Sequence, residues 1–408
     1  MAEWIGIGRR ARRCYGFDEI ALVPGTTSRN PAEVNTTWQL GDLKFRVPFI
    51  ASAMDWVVDV TFAIAMGKLG GLAVLNLDRV QARYDDPTDA IAQIIQGDVE
   101  ETTNIVQKLY KEPIEEKLIA RRVEQIKKAK VPCAVSTIPP NAERFGAIAQ
   151  EAGADIFVVQ STVTTAKHIA KAYRPLDFAH FMKSMKIPVI VGNTVTHDQT
   201  LELMEAGADA LLVGVGPGAA CTTRGVLGVG VPQVTATVDC AAARDIYHKK
   251  TGKYVPNITD GGMRNGGDIC KALACGSDAV MVGSAFAKAK EAPGRGYHWG
   301  MAYPHSSLPR GTRIYVGTTG TLEQILFGPA VTDDGSQNLM GALTTCMGTV
   351  GAADIKAFQM TEIIIAPSIQ TEGKIFQQVQ RVGMARKGAS EQPANGQPRK
   401  SRLSRNTQ

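Results

Sequence analysis

EAGADALLVG occupies residues 205–214, and EAGADIFVVQ (151–160) and ACGSDAVMVG (274–283) repeat its pattern. Each stretch reads as a helix end, a glycine that stops the helix, an acidic residue in a short loop, and a buried apolar strand. Repeated along a chain, such a unit builds a parallel sheet covered by helices. Outward from these three, short apolar runs supply the other strand candidates, to a total of eight: PFIASAM (48–54), GLAVLNL (71–77), PCAVSTI (132–138), IFVVQS (156–161), PVIVGN (188–193), ALLVGV (210–215), PNITDGG (256–262) and AVMVGSAF (279–286). Amphipathic segments of helical length stand between most of them, such as residues 102–129 and 197–207.

Eight βα units in one unbroken series predict an α/β fold, a single-domain (β/α)8 TIM barrel. Ser52, Asn76, Ser161, Asn193, Gly216, Asp260 and Ser284 punctuate the strand ends and are expected to line the C-terminal face, where such barrels carry their active sites. An open doubly wound sheet would show the same alternation, but no GxGxxG follows the first strand. The barrel domain is expected over residues 1–385, with a short flap at about 297–313. The tail 386–408, rich in Ser, Pro, Asn, Gln and Arg, is too poor in apolar residues to fold and is expected to be disordered and basic.

Composition narrows the function classes. The chain has 408 residues, 44% hydrophobic and 21% charged, and no apolar run approaches the roughly 20 residues of a membrane helix. No apolar stretch of signal-peptide length follows the basic residues of MAEWIGIGRRARRCYGF, so a cytoplasmic protein without membrane attachment is expected. Much of the formal charge of +6 lies in the tail, which leaves the body close to neutral and gives no footprint for nucleic acid. Seven scattered cysteines without a CxxC pair argue against a disulfide framework or a structural zinc site. Most of them are expected to be small core residues.

Cys221 is the exception. In GVGPGAACTTR (214–224), Gly216 and Gly218 free the backbone and Ala219 and Ala220 add little bulk, so a ligand can approach the main chain of the loop after strand six. A thiol there faces the ligand, and the alternative is one more small buried residue. DGGMRNGG (260–267) and VGS (282–284) offer backbone N–H groups at helix starts, suited to a phosphate; tight turns would need the same glycines for geometry alone. Asp260 stands at a strand end where it can accept hydrogen bonds from ribose hydroxyls. His298 and His305 lie in a segment that reads as an exposed loop, where a histidine is usually idle.

GVGPGAACTTRGVLGVGVPQ, then ITDGGMRNGGDICKALACGSDAVMVGS and EAPGRG, with PFIASAMDWVVD before them, resemble the catalytic core of the IMP dehydrogenase and GMP reductase family. The resemblance runs over roughly residues 15–370 and implies a purine nucleotide substrate (IMP, XMP or GMP), an NAD cofactor, a potassium ion and a homotetramer or octamer. It implies that Cys221 is the nucleophile toward C2 of the purine and that Thr223 helps in proton transfer. It assigns the nucleotide to Ser52, Met54, Asp260, Gly262, Gly283, Ser284, Gly300 and Met301. Gln160, Ser161 and Asn193 are implied at the cofactor, and the carbonyls of Gly216, Gly218 and Cys221 at the potassium ion.

The chain also departs from the family pattern. About fifty residues separate strands two and three, which leaves no room for the two regulatory modules that typical dehydrogenases insert there. AYPHSSLPR (302–310) carries neither the Arg-Tyr pair with which the dehydrogenases activate water nor the Tyr-Arg-Ala-Ser-Glu segment of the reductases. Arg310, His305 and Tyr303 remain as candidate water activators, Arg310 first. Gln160 stands where an aspartate is usual, and Ala219 replaces a phosphate-contacting serine. HWGMA and LPRGTR are similar to a short, module-free branch of the family in cyanobacteria and actinobacteria, which favours oxidation of IMP to XMP. The alternatives are a GMP reductase and a nucleotide-binding regulator without chemistry.

Overall fold

The computed structural model describes residues 2–98, 100–300, 312–369, 371–380 and 382–383. All eight predicted strands form: β1 (Phe49–Ala51), β2 (Leu72–Asn76), β3 (Ala134–Thr137), β4 (Ile156–Gln160), β5 (Val189–Thr194), β6 (Ala210–Val213), β7 (Asn257–Asp260) and β8 (Ala279–Val282). They pair in parallel and in chain order, and β8 closes on β1 with Val280 opposite Phe49, so the TIM barrel is complete.

Both faces of every strand are covered, which is why the runs are continuously apolar rather than alternating. Ile50, Leu72, Val74, Ile156, Val158, Ile190, Leu212, Ile258 and Met281 fill the interior. Phe49, Leu75, Val135, Phe157, Val191, Leu211 and Val280 pack outward with the larger core beneath the helices. A hairpin, Trp38–Leu40 with Leu43–Phe45, brings Trp38, Leu40 and Phe45 into the interior cluster and plugs the end where the strands begin.

The repeated motif positions the strands as well as announcing them. Helices α1 (Ala142–Glu151), α2 (His197–Glu205) and α3 (Gly266–Ala274) end just before Gly153, Gly207 and Gly276, whose φ values of 93°, 107° and 110° suit glycine and disfavour any side chain. Asp155, Asp209 and Asp278 follow two residues later. Each donates its backbone N–H to the carbonyl of one residue at the neighbouring strand's start, Cys133, Val189 and Asn257 respectively. Its carboxylate accepts that same residue's N–H, at 2.7, 2.9 and 2.9 Å. The acidic residue is therefore a two-way clamp between adjacent strands at the lower rim of the barrel.

Residues 77–133, read as largely helical, hold Thr88–Gln96, Thr102–Leu109 and Glu116–Lys128. The long amphipathic segment 102–129 is thus two helices, broken around Pro113, since proline cannot sit inside a helix without losing a backbone bond. No regulatory module is inserted there. Among the described residues, no helix is long and apolar enough to cross a membrane. Cys133, Cys240, Cys270 and Cys275 are buried as expected, whereas Cys346 is only half-buried.

Candidate active site

A cavity of about 620 Å³ opens at the C-terminal face, and all seven strand-end residues expected there line it. That volume lies in the range of small-molecule sites. Cys221, Thr223, Gly262, Met54, Gly283, Gly300 and Gln160 line the same cavity.

Cys221 sits half-buried in the loop between β6 and the short helix α4 (Thr223–Leu227). Its backbone N–H donates to the carbonyl of Gly218 at 3.0 Å, which folds the loop into a turn. The thiol donates to Thr223 Oγ1 at 3.2 Å, and Thr223 is buried. Arg224 braces the loop from behind: its Nε donates to the Val215 carbonyl and its Nη2 to that of Val231. Gly216 has φ 73°, and a Cβ there would stand 2.7 Å from Arg224 Cγ, so only glycine fits this brace.

Asp260 ends β7 and is half-buried at the mouth of the barrel. It accepts hydrogen bonds from Asn193 Nδ2 at 2.8 Å and Gln160 Nε2 at 3.1 Å. Gln160 Nε2 also reaches Asn193 Oδ1 at 3.1 Å, so residues expected on the cofactor are tied directly to the expected ribose ligand. Burial pushes the Asp260 carboxyl up to about 6, against the pull of the Asn193 bond. Gln160 Oε1 is buried with no hydrogen-bond partner among the described residues.

Across the mouth, Ser52 N–H donates to the Val282 carbonyl, placing the β1 end beside β8. Met54 Sδ and Ser52 Oγ stand 3.3 and 3.6 Å from the position a Cβ on Gly283 would take, so Ser52, Met54, Gly283 and Ser284 form one wall. The glycine turn after β7 abuts the cysteine loop: a Cβ on Gly262 would touch Pro217 at 3.0 Å. The helix after β8, α5 (Ser284–Ala287), is a single turn, and it takes up the last residues of the run AVMVGSAF that reads as strand in the sequence.

Ser161, by contrast, turns its hydroxyl to the Val163 carbonyl at 2.7 Å and to Thr164 Oγ1 at 2.8 Å, so it shapes the loop after β4. Met301 and Arg310, with Tyr303 and His305, lie outside the described residues. The flap's ends are described: strand β9 (Tyr297–Trp299) leads into it, and Thr312 N–H beyond it donates to the Ala220 carbonyl, next to Cys221. His298 is a correction. It is buried in β9 rather than exposed in a loop, and its Nε2 lies 3.2 Å from Ser284 Oγ.

A second arm of the cavity was not anticipated. Asp78, Arg79, Arg83, Thr137 and Asn141 line it beside the ends of β2 and β3. Asp78 accepts from Thr137 Oγ1, Ile138 N–H and Asn141 Nδ2, at 3.1, 2.9 and 2.7 Å. The run NLDR directly after a strand was the signal available in the sequence.

Residues 14–306 match the family model described as the IMP dehydrogenase / GMP reductase domain. The chain belongs to the IMP dehydrogenase / GMP reductase family. A protein of Mycolicibacterium smegmatis, named an uncharacterized oxidoreductase, is 38% identical over 370 residues, covering 88% of this chain and 99% of the relative. The inosine-5'-monophosphate dehydrogenase of Cryptosporidium parvum is 31% identical over 378 residues, covering 83% of this chain and 88% of that protein. Among solved structures, an IMP dehydrogenase/GMP reductase-like protein from Corynebacterium glutamicum superposes with a TM-score of 0.85 at 36% identity, covering 89% of this chain and 97% of its own. This family membership makes the chain an oxidoreductase of a family that acts on purine nucleotides.

Proposed function

We propose that this oxidoreductase converts IMP to XMP with NAD through a covalent adduct on Cys221. The observation that carries the reading is the half-buried thiol, paired with a buried threonine hydroxyl and opening into the cavity that Asp260 also lines. Cys221 gives up its proton, and the thiolate adds to C2 of the hypoxanthine. NAD bound beside Gln160 and Asn193 would accept the hydride that leaves C2. The resulting thioimidate is hydrolysed by water, which restores the thiol and releases XMP; covalent catalysis divides one difficult substitution into two easier steps. Thr223 Oγ1, fixed against the sulfur, is placed to move a proton in either step.

Two absent groups belong to this reading. The unpartnered Oε1 of Gln160 fits a donor from the nicotinamide half of NAD, since a buried acceptor left bare costs stability until it is met. Carbonyls of Gly216, Gly218 and Cys221, neutral main-chain oxygens in one glycine-rich turn, are the donor set a potassium ion favours. Assays in both directions test the reading. IMP with NAD should yield XMP and NADH, whereas NADPH-dependent release of ammonia from GMP would make the enzyme a reductase.

Asp260 gives the site a pH dependence. Its carboxylate is the acceptor for the ribose hydroxyls, and its pKa is raised to about 6, so the protonated form takes over below that value. IMP affinity is expected to hold at neutral pH and to fall below about pH 6 toward a floor about tenfold lower, where the carboxyl is protonated. Asp260→Asn, similar in shape without the charge, is expected to bind about tenfold more weakly and to flatten this profile. Calorimetric titration with IMP between pH 5 and 8 checks both, on the scale of roughly a unit set by that pKa.

Water activation falls to Arg310, two residues before Thr312 in the chain. Arg310→Ala is expected to leave the first burst of NADH intact and to slow steady-state turnover about a hundredfold, the range usual for acid–base groups. Loss of the burst in stopped-flow absorbance would move Arg310 to substrate binding.

A further inference from the structure

We infer that His298 is a positioning residue that turns Ser284 into a hydrogen-bond donor for the phosphate of a bound mononucleotide; this rests on the mononucleotide reading above. The inference starts from β9. Trp299 packs its ring on Trp56 at 3.9 Å between centroids, and its Nε1 donates to Tyr110 Oη at 3.4 Å. Tyr110 in turn donates to Asp55 Oδ2 at 2.8 Å. This anchor fixes the strand, and with it the neighbouring His298, whose side chain projects to the opposite side as residues adjacent in a strand do. His298 pairs with Ile314 across β9 and β10 (Arg313–Tyr315). Its Nε2 stands 3.2 Å from Ser284 Oγ at the start of α5.

The protonation of the ring follows from burial. The imidazole is 2% exposed, and burial lowers its pKa to about 4, so at neutral pH it carries a single N–H. Nδ1 is buried and has no hydrogen-bond partner among the described residues. With the N–H on Nδ1, a buried donor would go unmet. With the N–H on Nε2, the donor meets Ser284 Oγ and only an acceptor lone pair is left bare, the cheaper arrangement because a buried donor has no second option.

A serine hydroxyl that accepts at its oxygen still has one proton to give. No acceptor among the described residues takes the Ser284 proton. Ser284 lines the cavity beside Gly283 and Ser52, so the proton is directed into the cavity. An oxygen-rich anion such as a phosphomonoester is the ligand such a donor recognises. A serine without the histidine could satisfy itself as acceptor or donor; His298 removes that choice before the ligand arrives, which is preorganisation.

The test compares IMP with inosine, which lacks only the phosphate, in wild type, Ser284→Ala, His298→Phe, His298→Gln and the Ser284→Ala/His298→Phe pair. His298→Phe is expected to weaken IMP about fivefold to tenfold, the worth of one neutral hydrogen bond, and to leave inosine unchanged. His298→Gln, which keeps an N–H at similar reach, should restore IMP affinity to within about twofold. The double variant should be no weaker than Ser284→Ala alone, because the two residues act as one unit. Equal weakening of IMP and inosine, additive losses, or no loss in His298→Phe would overturn the inference. Should His298→Phe fail to fold, long-range proton–nitrogen spectra of the wild-type histidines decide the matter: an Nε2–H tautomer is expected, and Nδ1–H overturns it. If wild type binds inosine as tightly as IMP, the mononucleotide reading itself falls, an outcome distinct from a His298 variant that behaves like wild type.

Discussion

Cys221→Ala is expected to abolish turnover of IMP while leaving its affinity within about tenfold of wild type. The thiol supplies the bond that makes hydride departure from C2 possible, an interaction present in the transition state and absent from the ground state, so its loss falls on kcat rather than on binding. Affinity survives because the remaining contacts come from elsewhere in the barrel: Asp260 at the end of β7, the wall of Ser52, Met54 and Gly283, and the glycine turn at Gly262. Neither does the loop collapse, since the Cys221 N–H to Gly218 carbonyl bond is a main-chain bond that alanine keeps and the Arg224 side chain that braces the loop is untouched. Incubation of wild type with 6-chloro-IMP, whose chloride a thiolate can displace, should add mass to the peptide containing Cys221. Retained turnover in Cys221→Ala, or labelling confined to another cysteine, would sink the covalent mechanism.

The site was legible in the sequence where its residues serve the main chain. Each EAGAD-type stretch announces a helix stop, a clamp and a buried strand within ten residues, so local chemistry fixes the βα units and the barrel's connection rules place the strand ends together. That is why Asp260 and Asn193 could be assigned to one mouth from the strand ends, while Gln160, 100 positions from Asp260, was placed there by the family resemblance; the three do meet. What they do to one another was not legible. That Gln160 bonds Asp260 depends on how β4, β5 and β7 stagger, which no local pattern encodes.

His298 shows the reverse difficulty. A short aromatic run, YHW, between Gly296 and Gly300 suggests a loop, but the tertiary anchor of Trp299 on Trp56 and Tyr110 makes it a strand and buries the histidine. Burial then changes its chemistry, from an imidazole titrating near neutrality to one that stays neutral. The second arm of the cavity was missed for a similar reason. Arg79 has its guanidinium 4.6 Å from the ring of Tyr110, which follows the helix Thr102–Leu109, and nothing near Arg79 in sequence points to that contact.

The largest expected effect on stability lies at the other end of the barrel, in Asp278→Ala. Of the three clamp residues, only Asp278 has its carboxylate deeply buried, with Arg244 buried beside it at 3.1 Å. The carboxylate also accepts from Asn257 N–H at 2.9 Å and Tyr254 Oη at 2.7 Å, and Lys356 pairs with it from the rim. Burial pushes this carboxyl up while Arg244 pulls it down, the opposition expected of a buried ion pair. Removing one member of such a pair leaves the other charge uncompensated, at a cost of about 3 to 5 kcal/mol. Asp209→Ala makes the matched comparison. Asp209 performs the same clamp on Val189 but pairs with Lys253 near solvent, so its loss should cost about 1 to 2 kcal/mol, the worth of the strand bond with little from the ion pair. Urea unfolding followed by circular dichroism should therefore rank Asp278→Ala well below Asp209→Ala, with wild type above both. Since the lower rim of a TIM barrel serves stability and the upper rim chemistry, kcat of the folded Asp278→Ala protein at low temperature should equal that of wild type. Equal stability of the two variants would show that burial of the Arg244 pair adds nothing to the clamp; a fall in kcat without a fall in stability would mean that the rim is coupled to the site.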